Sequence, residues 1–309
     1  MKAIIFPGQG SQKAGMASEF QSNFKIVKDI LDRVDNVLKF GLSKIILNGS
    51  DEDLKKTEIT QPAILTTSFA IFSVLKQEFN FDLSKVKYIA GHSLGEYSAL
   101  VASGSLSLEE GVTLVHERGK LMQEAVPEGK GAMLAVMGVK ADELKSHIKL
   151  ANLTNGICEI ANDNSTSQII LSGNKDTLSV FNNYLKKEKK KSMFLPVSAP
   201  FHCSLMKPAA EKMKLLLQKI NFKNPSIQLI SNVNASPVEK SQDLKDLLYS
   251  QIFSQVRWRE SIEYMIKNDV NDFIEIGPGK VLSGLVKRIN DKVLTRSLTK
   301  IEDIKNYND

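Results

Sequence analysis

Short apolar runs alternate along this chain with longer stretches whose apolar positions recur at helical spacing. Lys2 to Phe6 has the look of a buried strand, and it breaks at Pro7-Gly8-Gln9-Gly10, a turn that no regular element survives. Apolar residues at helical spacing predict helices over Phe24 to Phe40 and from Gln61-Pro62 to Phe79, the second with a proline near its start, where a helix tolerates it. A strand follows at Val86 to Ala90. Ser107-Leu108-Glu109-Glu110 then opens a helix with a serine cap and early acids, which runs through Arg118 to about Ala125 and stops at Pro127-Glu128-Gly129.

From about residue 130 to 197 the rhythm becomes β-α-β-β-α-β. The strands are Ala132 to Val139, Cys158 to Ala161, Gln168 to Leu171 and Met193 to Val197, and the helices Ala141 to Leu150 and Asp176 to Lys187. That order is the ferredoxin-like pattern and implies a small inserted unit over 129–197, within a large unit made of 1–128 and 198–309. The large unit resumes with a helix at Pro208 to Ile220, a strand at Ile227 to Ser231, a helix around Trp258 to Ile266, a strand at Asp272 to Ile276 and a helix from Val281. The expected fold class is α/β: an α/β-hydrolase-like domain with a mostly parallel sheet, plus the ferredoxin-like insert.

The chain has 309 residues, 42% of them hydrophobic, enough for a large core. Its net charge of +6 comes from 41 basic and 35 acidic residues scattered along the sequence, and this argues against nucleic acid as a partner. It favours an acidic protein or a phosphorylated substrate. The cluster Lys186-Lys187-Glu188-Lys189-Lys190-Lys191 is expected to be a solvated helix end. Two cysteines, Cys158 and Cys203, stand in no metal-ligand spacing, so neither a disulfide framework nor a metal is expected. With no secretory signal and no uninterrupted apolar stretch of spanning length, the sequence points to a cytoplasmic protein without a membrane partner, and a monomer is expected. Gly277-Pro278-Gly279-Lys280 lacks the spacing of a phosphate loop, and no G-x-G-x-x-G follows the first strand, which speaks against ATP and NAD.

The chemistry concentrates at Gly91-His92-Ser93-Leu94-Gly95, a G-x-S-x-G set between a predicted strand and a predicted helix. This context exposes a serine hydroxyl at the tip of a sharp turn, with the Leu94 N–H at a helix N-terminus where it can face an oxyanion. Acyl transfer is the chemistry implied. Of the four histidines, His92 should point away from Ser93, while His116 and His147 sit in helical patterns that suit structural roles. His202 lies in a loop after the insert and follows the serine in chain order, which makes it the candidate base. No acid stands at a suggestive place between Ser93 and His202. A less strongly polarised base suits an acyl-enzyme that waits for an acceptor other than water. Arg118 lies among Val115, Leu121 and Met122, and two readings stay open for it: a clamp for a substrate carboxylate or an ordinary helix salt bridge.

Several motifs, taken in order, resemble one family. They are Phe6-Pro7-Gly8-Gln9-Gly10-Ser11-Gln12, Gly91 to Leu100, Arg118, Phe201-His202-Cys203-Ser204-Leu205-Met206-Lys207-Pro208 and Glu275-Ile276-Gly277-Pro278-Gly279-Lys280-Val281-Leu282. They follow the order seen in malonyl-CoA:acyl carrier protein transacylases, and the match runs essentially end to end. The resemblance implies S-malonyltransferase activity without a tightly bound cofactor: malonyl passes from its coenzyme A thioester to Ser93, then to the phosphopantetheine thiol of an acidic acyl carrier protein. It further implies that His202 is the base, Arg118 holds the malonyl carboxylate, and Gln9 and Leu94 give backbone N–H groups to the oxyanion hole. By the same resemblance the Gln251 carbonyl orients the histidine, and Phe201 and Met122 line the acyl pocket, with Phe201 disfavouring a branched methylmalonyl group. The chain departs from the family pattern at Gln255, where proline is usual, and in Ala161 to Gln168, which lacks a Pro-Gly pair. A serine hydrolase and an inactive carrier-docking module are the competing readings.

Overall fold

The structure is a computed structural model and describes residues 1–151, 153, 156–197 and 199–307. Residue 198, where the sequence places the return to the large unit, lies outside the described residues.

The first half of the chain runs β1 (Lys2–Phe6), α1 (Ser18–Asn23), α2 (Lys25–Leu38), α3 (Leu42–Asn48), α4 (Thr57–Gln77), β2 (Val86–Gly91), α5 (Leu94–Ala102) and α6 (Leu108–Glu124). A second group follows: β3 (Gly131–Met137), α7 (Ala141–Leu150), β4 (Cys158–Ser165), β5 (Gln168–Asn174), α8 (Lys175–Lys187) and β6 (Lys191–Phe194). The remainder is α9 (Lys207–Gln218), β7 (Gln228–Leu229), α10 (Leu244–Gln251), α11 (Trp258–Lys267), β8 (Asp272–Ile276), α12 (Val281–Ile289), β9 (Leu294–Leu298) and α13 (Ile301–Lys305).

One sheet has the order β7-β2-β1-β8-β9, parallel throughout, with helices around it. The other, β4-β5-β3-β6, is antiparallel, and its strand order with α7 and α8 is the ferredoxin-like arrangement that the rhythm of 130–197 predicts. The fold class is therefore α/β with a parallel sheet and a small antiparallel one.

The two sheets are joined near the site: Asn162 on β4 bridges Val256, and the Asp163 N–H donates to the Val256 carbonyl at 3.0 Å. Arg259 on α11 clasps the buried Asp163 carboxylate at 2.8 Å.

Three local departures from the sequence reading have physical causes. Helix α4 begins at Thr57, a turn before Pro62. The ring removes the N–H that would bond the Glu58 carbonyl, and the His116 ring supplies the missing donor from Nδ1 at 2.9 Å. That gives His116 the structural role expected of it. The strand expected at Ile227 to Ser231 shortens to Gln228–Leu229, because the chain turns over at Ser231 and Asn232 to serve the site. Past α12, β9 adds the last parallel strand beside β8, an element the apolar pattern hides because most of it is only partly buried.

Helix α4 is long and apolar enough to cross a membrane, yet 83% of its apolar window is buried inside the protein, where it packs against α2, α5 and α6. The Ser107 cap of α6 is present as a full capping box with Glu110. At β8, the buried Glu275 carboxylate accepts the Leu282 and Ser283 N–H groups at 3.0 and 2.8 Å, so that part of the Glu275 to Leu282 motif caps α12.

Candidate active site

Register brings the site together. β1 pairs with β2 so that Phe6 lies opposite Gly91, and the turn after β1 therefore sits against the strand-to-helix elbow after β2. Glycine is required here. A Cβ on Gly91 would stand 1.9 Å from the Gly95 carbonyl group, and one on Gly95 would meet the Phe6 carbonyl oxygen at 2.3 Å. At the tip, Ser93 adopts φ 54 and ψ −110, a costly backbone for a residue with a side chain. Asn232 holds it there: its Oδ1 accepts the Ser93 N–H at 2.7 Å and its Nδ2 donates to the Gly91 carbonyl at 2.7 Å.

His202 stands on a loop tied to the antiparallel sheet, since the Ser204 hydroxyl and N–H both donate to Glu159 on β4. Its Nε2 lies 2.7 Å from Ser93 Oγ. Its Nδ1 lies 2.8 Å from the main-chain carbonyl oxygen of Gln251, an acceptor only, so Nδ1 carries the proton and Nε2 is free to accept from the serine hydroxyl. Burial, reinforced by the positive charge of Arg118, depresses the His202 pKa to about 3. The imidazole is neutral at any working pH. Gln251 keeps this position with glutamine at 255.

Arg118 comes from α6 and is 1% exposed. Its Nη1 donates to Gln61 Oε1 at 2.7 Å, and its Nη2 donates to Gln251 Oε1 at 2.8 Å and to Ser93 Oγ at 3.0 Å. Its Nε has no hydrogen-bond partner among the described residues. These bonds replace the helix salt bridge considered from the sequence. Burial lowers the guanidinium's pKa, yet it remains a cation with neutral ligands, held beside the nucleophile and suited to an anionic group.

A cavity of about 250 Å³ opens over these groups; Gln9, Leu94, Met122 and Phe201 line it, as do Ser93, Arg118 and His202. Leu94 is the first residue of α5, so its N–H has no partner within the helix. The structure thus brings every sequence-predicted site residue to one place. His92, expected to point away from Ser93, lines the same cavity, and its ring is held locally, with Nε2 2.8 Å from Asn164 Oδ1 and the ring centre 5.5 Å from that of Trp258. His147 lies elsewhere, beside the Tyr184 hydroxyl at 3.1 Å.

A polarised serine, a neutral base and a buried cation can form an acyl ester from a donor bearing a negative charge. Sequence comparison decides the family. The model of the acyl transferase domain matches residues 3–305. The chain belongs to the acyl transferase domain family. It is 42% identical over 303 residues to the malonyl CoA-acyl carrier protein transacylase of Bacillus subtilis (strain 168), covering 98% of this chain and 94% of that one. Among solved structures it is similar to the acyl-carrier-protein-S-malonyltransferase of Bartonella henselae, at 38% identity and a TM-score of 0.95 over 98% of this chain and 97% of that one. It is also similar to a malonyl-transacylase in complex with its type II PKS acyl-carrier protein, at 36% identity and a TM-score of 0.94 over 98% and 97% of the two chains.

Three side chains escaped the sequence reading. Gln61 carried a signal, being a polar residue inside a long apolar helix. Asn232 and Glu96 carried none beyond their neighbourhood, because their roles arise where separate elements converge.

Proposed function

We propose that this acyltransferase moves malonyl from malonyl-CoA to the phosphopantetheine thiol of an acyl carrier protein, through a malonyl ester on Ser93. The observation that carries the reading is Arg118, a buried guanidinium 3.0 Å from the nucleophilic oxygen with no carboxylate bonded to it among the described residues. A plain acyl group has no use for such a cation. Malonyl ends in a carboxylate that does.

In the first half-reaction Ser93 Oγ attacks the thioester carbon while His202 Nε2 takes the hydroxyl proton. The oxyanion forms toward the N–H groups of Gln9 and Leu94, and Arg118 holds the remote carboxylate. Collapse breaks the carbon–sulfur bond, and His202 returns its proton to the departing coenzyme A thiolate. The second half-reaction runs the same steps in reverse, with the carrier thiol giving its proton to His202 and attacking the ester, so that Ser93 regains its hydrogen. Because the Gln251 carbonyl, rather than a carboxylate, orients His202, the base is not strengthened by a negative charge, which disfavours water as acceptor.

Phe201 and Met122 line the cavity that would receive the acyl group, and the net charge of +6 suits an acidic carrier. Two free cysteines fit a reducing, cytoplasmic setting.

Initial velocities measured with both substrates varied test the two-step scheme. Parallel double-reciprocal lines are expected, and intersecting lines would reject a free malonyl-enzyme.

A further inference from the structure

Glu96 lies on α5, 1% exposed, and the transfer scheme gives it nothing to do. Its Oε2 accepts the Gln251 side-chain Nε2 at 2.8 Å and the Asn232 N–H at 3.2 Å, while its Oε1 has no hydrogen-bond partner among the described residues. Gln251 is fixed by this contact. With Nε2 turned to Glu96 and to the Ser93 carbonyl, its Oε1 must face Arg118. One amide therefore bridges a buried carboxyl group and a buried guanidinium.

The surroundings single out that pair. Helix α5 packs on β1, β2, α4 and α6. The two strands approach with their Phe6 and Gly91 ends, and their lysines, Lys2 and Lys87, lie toward the opposite ends. From α4 comes the neutral Gln61, bonded to Arg118; from α10 the neutral Gln251; from the loop after β7 the neutral Asn232. The ionisable groups acting with Glu96 are Arg118 from α6 and Tyr97 on its own helix. Tyr97 is pushed up to about 12 by burial and stays protonated, and His202 stays neutral.

We propose that Glu96 is a positioning residue and the proton-linked counter-ion of Arg118: ionised, it competes through Gln251 with the substrate carboxylate, and it takes one proton from solvent as that carboxylate binds. This inference rests on malonyl being the acyl group. Two carboxylates sharing one buried guanidinium favour neutralising one of them, and Oε1 is where the proton sits. Burial already raises the Glu96 carboxyl to about 7, against the opposing pull of Gln251, Asn232 and Arg118.

The test is kcat/KM for malonyl-CoA and for acetyl-CoA, measured from about pH 5.5 to about pH 8.5, in wild type and in Glu96→Gln. Ionisations of the shared coenzyme A and of the Ser93–His202 pair cancel in the ratio. The wild-type malonyl-to-acetyl ratio should be level at low pH and fall by up to about tenfold per unit above about pH 7. Glu96→Gln keeps an oxygen for Gln251 and should flatten the ratio. A flat wild-type ratio, or a fall that survives in Glu96→Gln, would overturn the proposal; if that variant does not fold, the wild-type ratio decides alone. A protein that forms no malonyl-serine would sink the proposed function itself, whereas malonyl transfer with a flat ratio would sink only the role of Glu96.

Discussion

His202 Nδ1 lies 2.8 Å from the carbonyl oxygen of Gln251, where many serine enzymes would have a carboxylate. A carbonyl fixes the tautomer as an acid would, yet adds no charge to stabilise an imidazolium. Together with burial this leaves the ring reluctant to take a proton from solvent, with a folded-state pKa of about 3 against an ordinary 6.5. Between those values the unfolded chain binds the extra proton, so folding stability falls as pH drops below about 6.5. Glu96 acts in the opposite sense, its raised carboxyl losing stability as pH rises from 4.5 toward about 7. The stability of wild type relative to His202→Ala should therefore shrink on acidification below about pH 6.5, by at most about 1.4 kcal/mol per pH unit, in denaturant melts of both proteins. A difference independent of pH would contradict the buried neutral ring.

Arg118→Ala should cost roughly 2 to 5 kcal/mol of transition-state binding for malonyl-CoA, as expected for removing one member of a buried charge pair. Acetyl transfer should lose far less. Equal losses in kcat/KM for the two donors would reject Arg118 as the carboxylate clamp.

Asn232→Ala leaves the Ser93 N–H and the Gly91 carbonyl without their side-chain partner at a strained elbow. The expected loss is about 1 to 3 kcal/mol in stability, with a slower acylation of Ser93 at saturating donor. Unchanged melting and acylation would mean that the elbow holds its shape without Asn232.

Phe201 is 8% exposed and lines the cavity beside His202. Phe201→Ser should raise methylmalonyl-CoA relative to malonyl-CoA in kcat/KM, by an amount near the value of one methyl group, about 1 to 3 kcal/mol. A ratio that stays put would remove Phe201 from substrate choice.

Much of this site could be read from the residue order, and the exceptions have a common cause. Ser93 was legible because strand, glycines and helix are contiguous, and the Ser107–Glu110 box because a helix cap is local. His202 needed elimination among four histidines, and the loop that carries it is held by Glu159 from the other sheet. Gln61, Asn232 and Glu96 join the site only through partners from 57 to 155 positions away, such as Glu96 with Gln251 and Asn232 with Ser93. No periodicity reports such pairs. The early start of α4 was hidden for the same reason, since the donor that rescues the Glu58 carbonyl is His116 on another helix.

The most direct test of the transfer is intact-protein mass after brief mixing with malonyl-CoA, for wild type and Ser93→Ala, followed by addition of holo-acyl carrier protein. A malonyl adduct on wild type alone, which then moves to the carrier, is the expected result. An adduct lost to free malonate while the carrier stays unloaded would make the protein a hydrolase, and an adduct that persists in Ser93→Ala would mean that Ser93 is not the nucleophile.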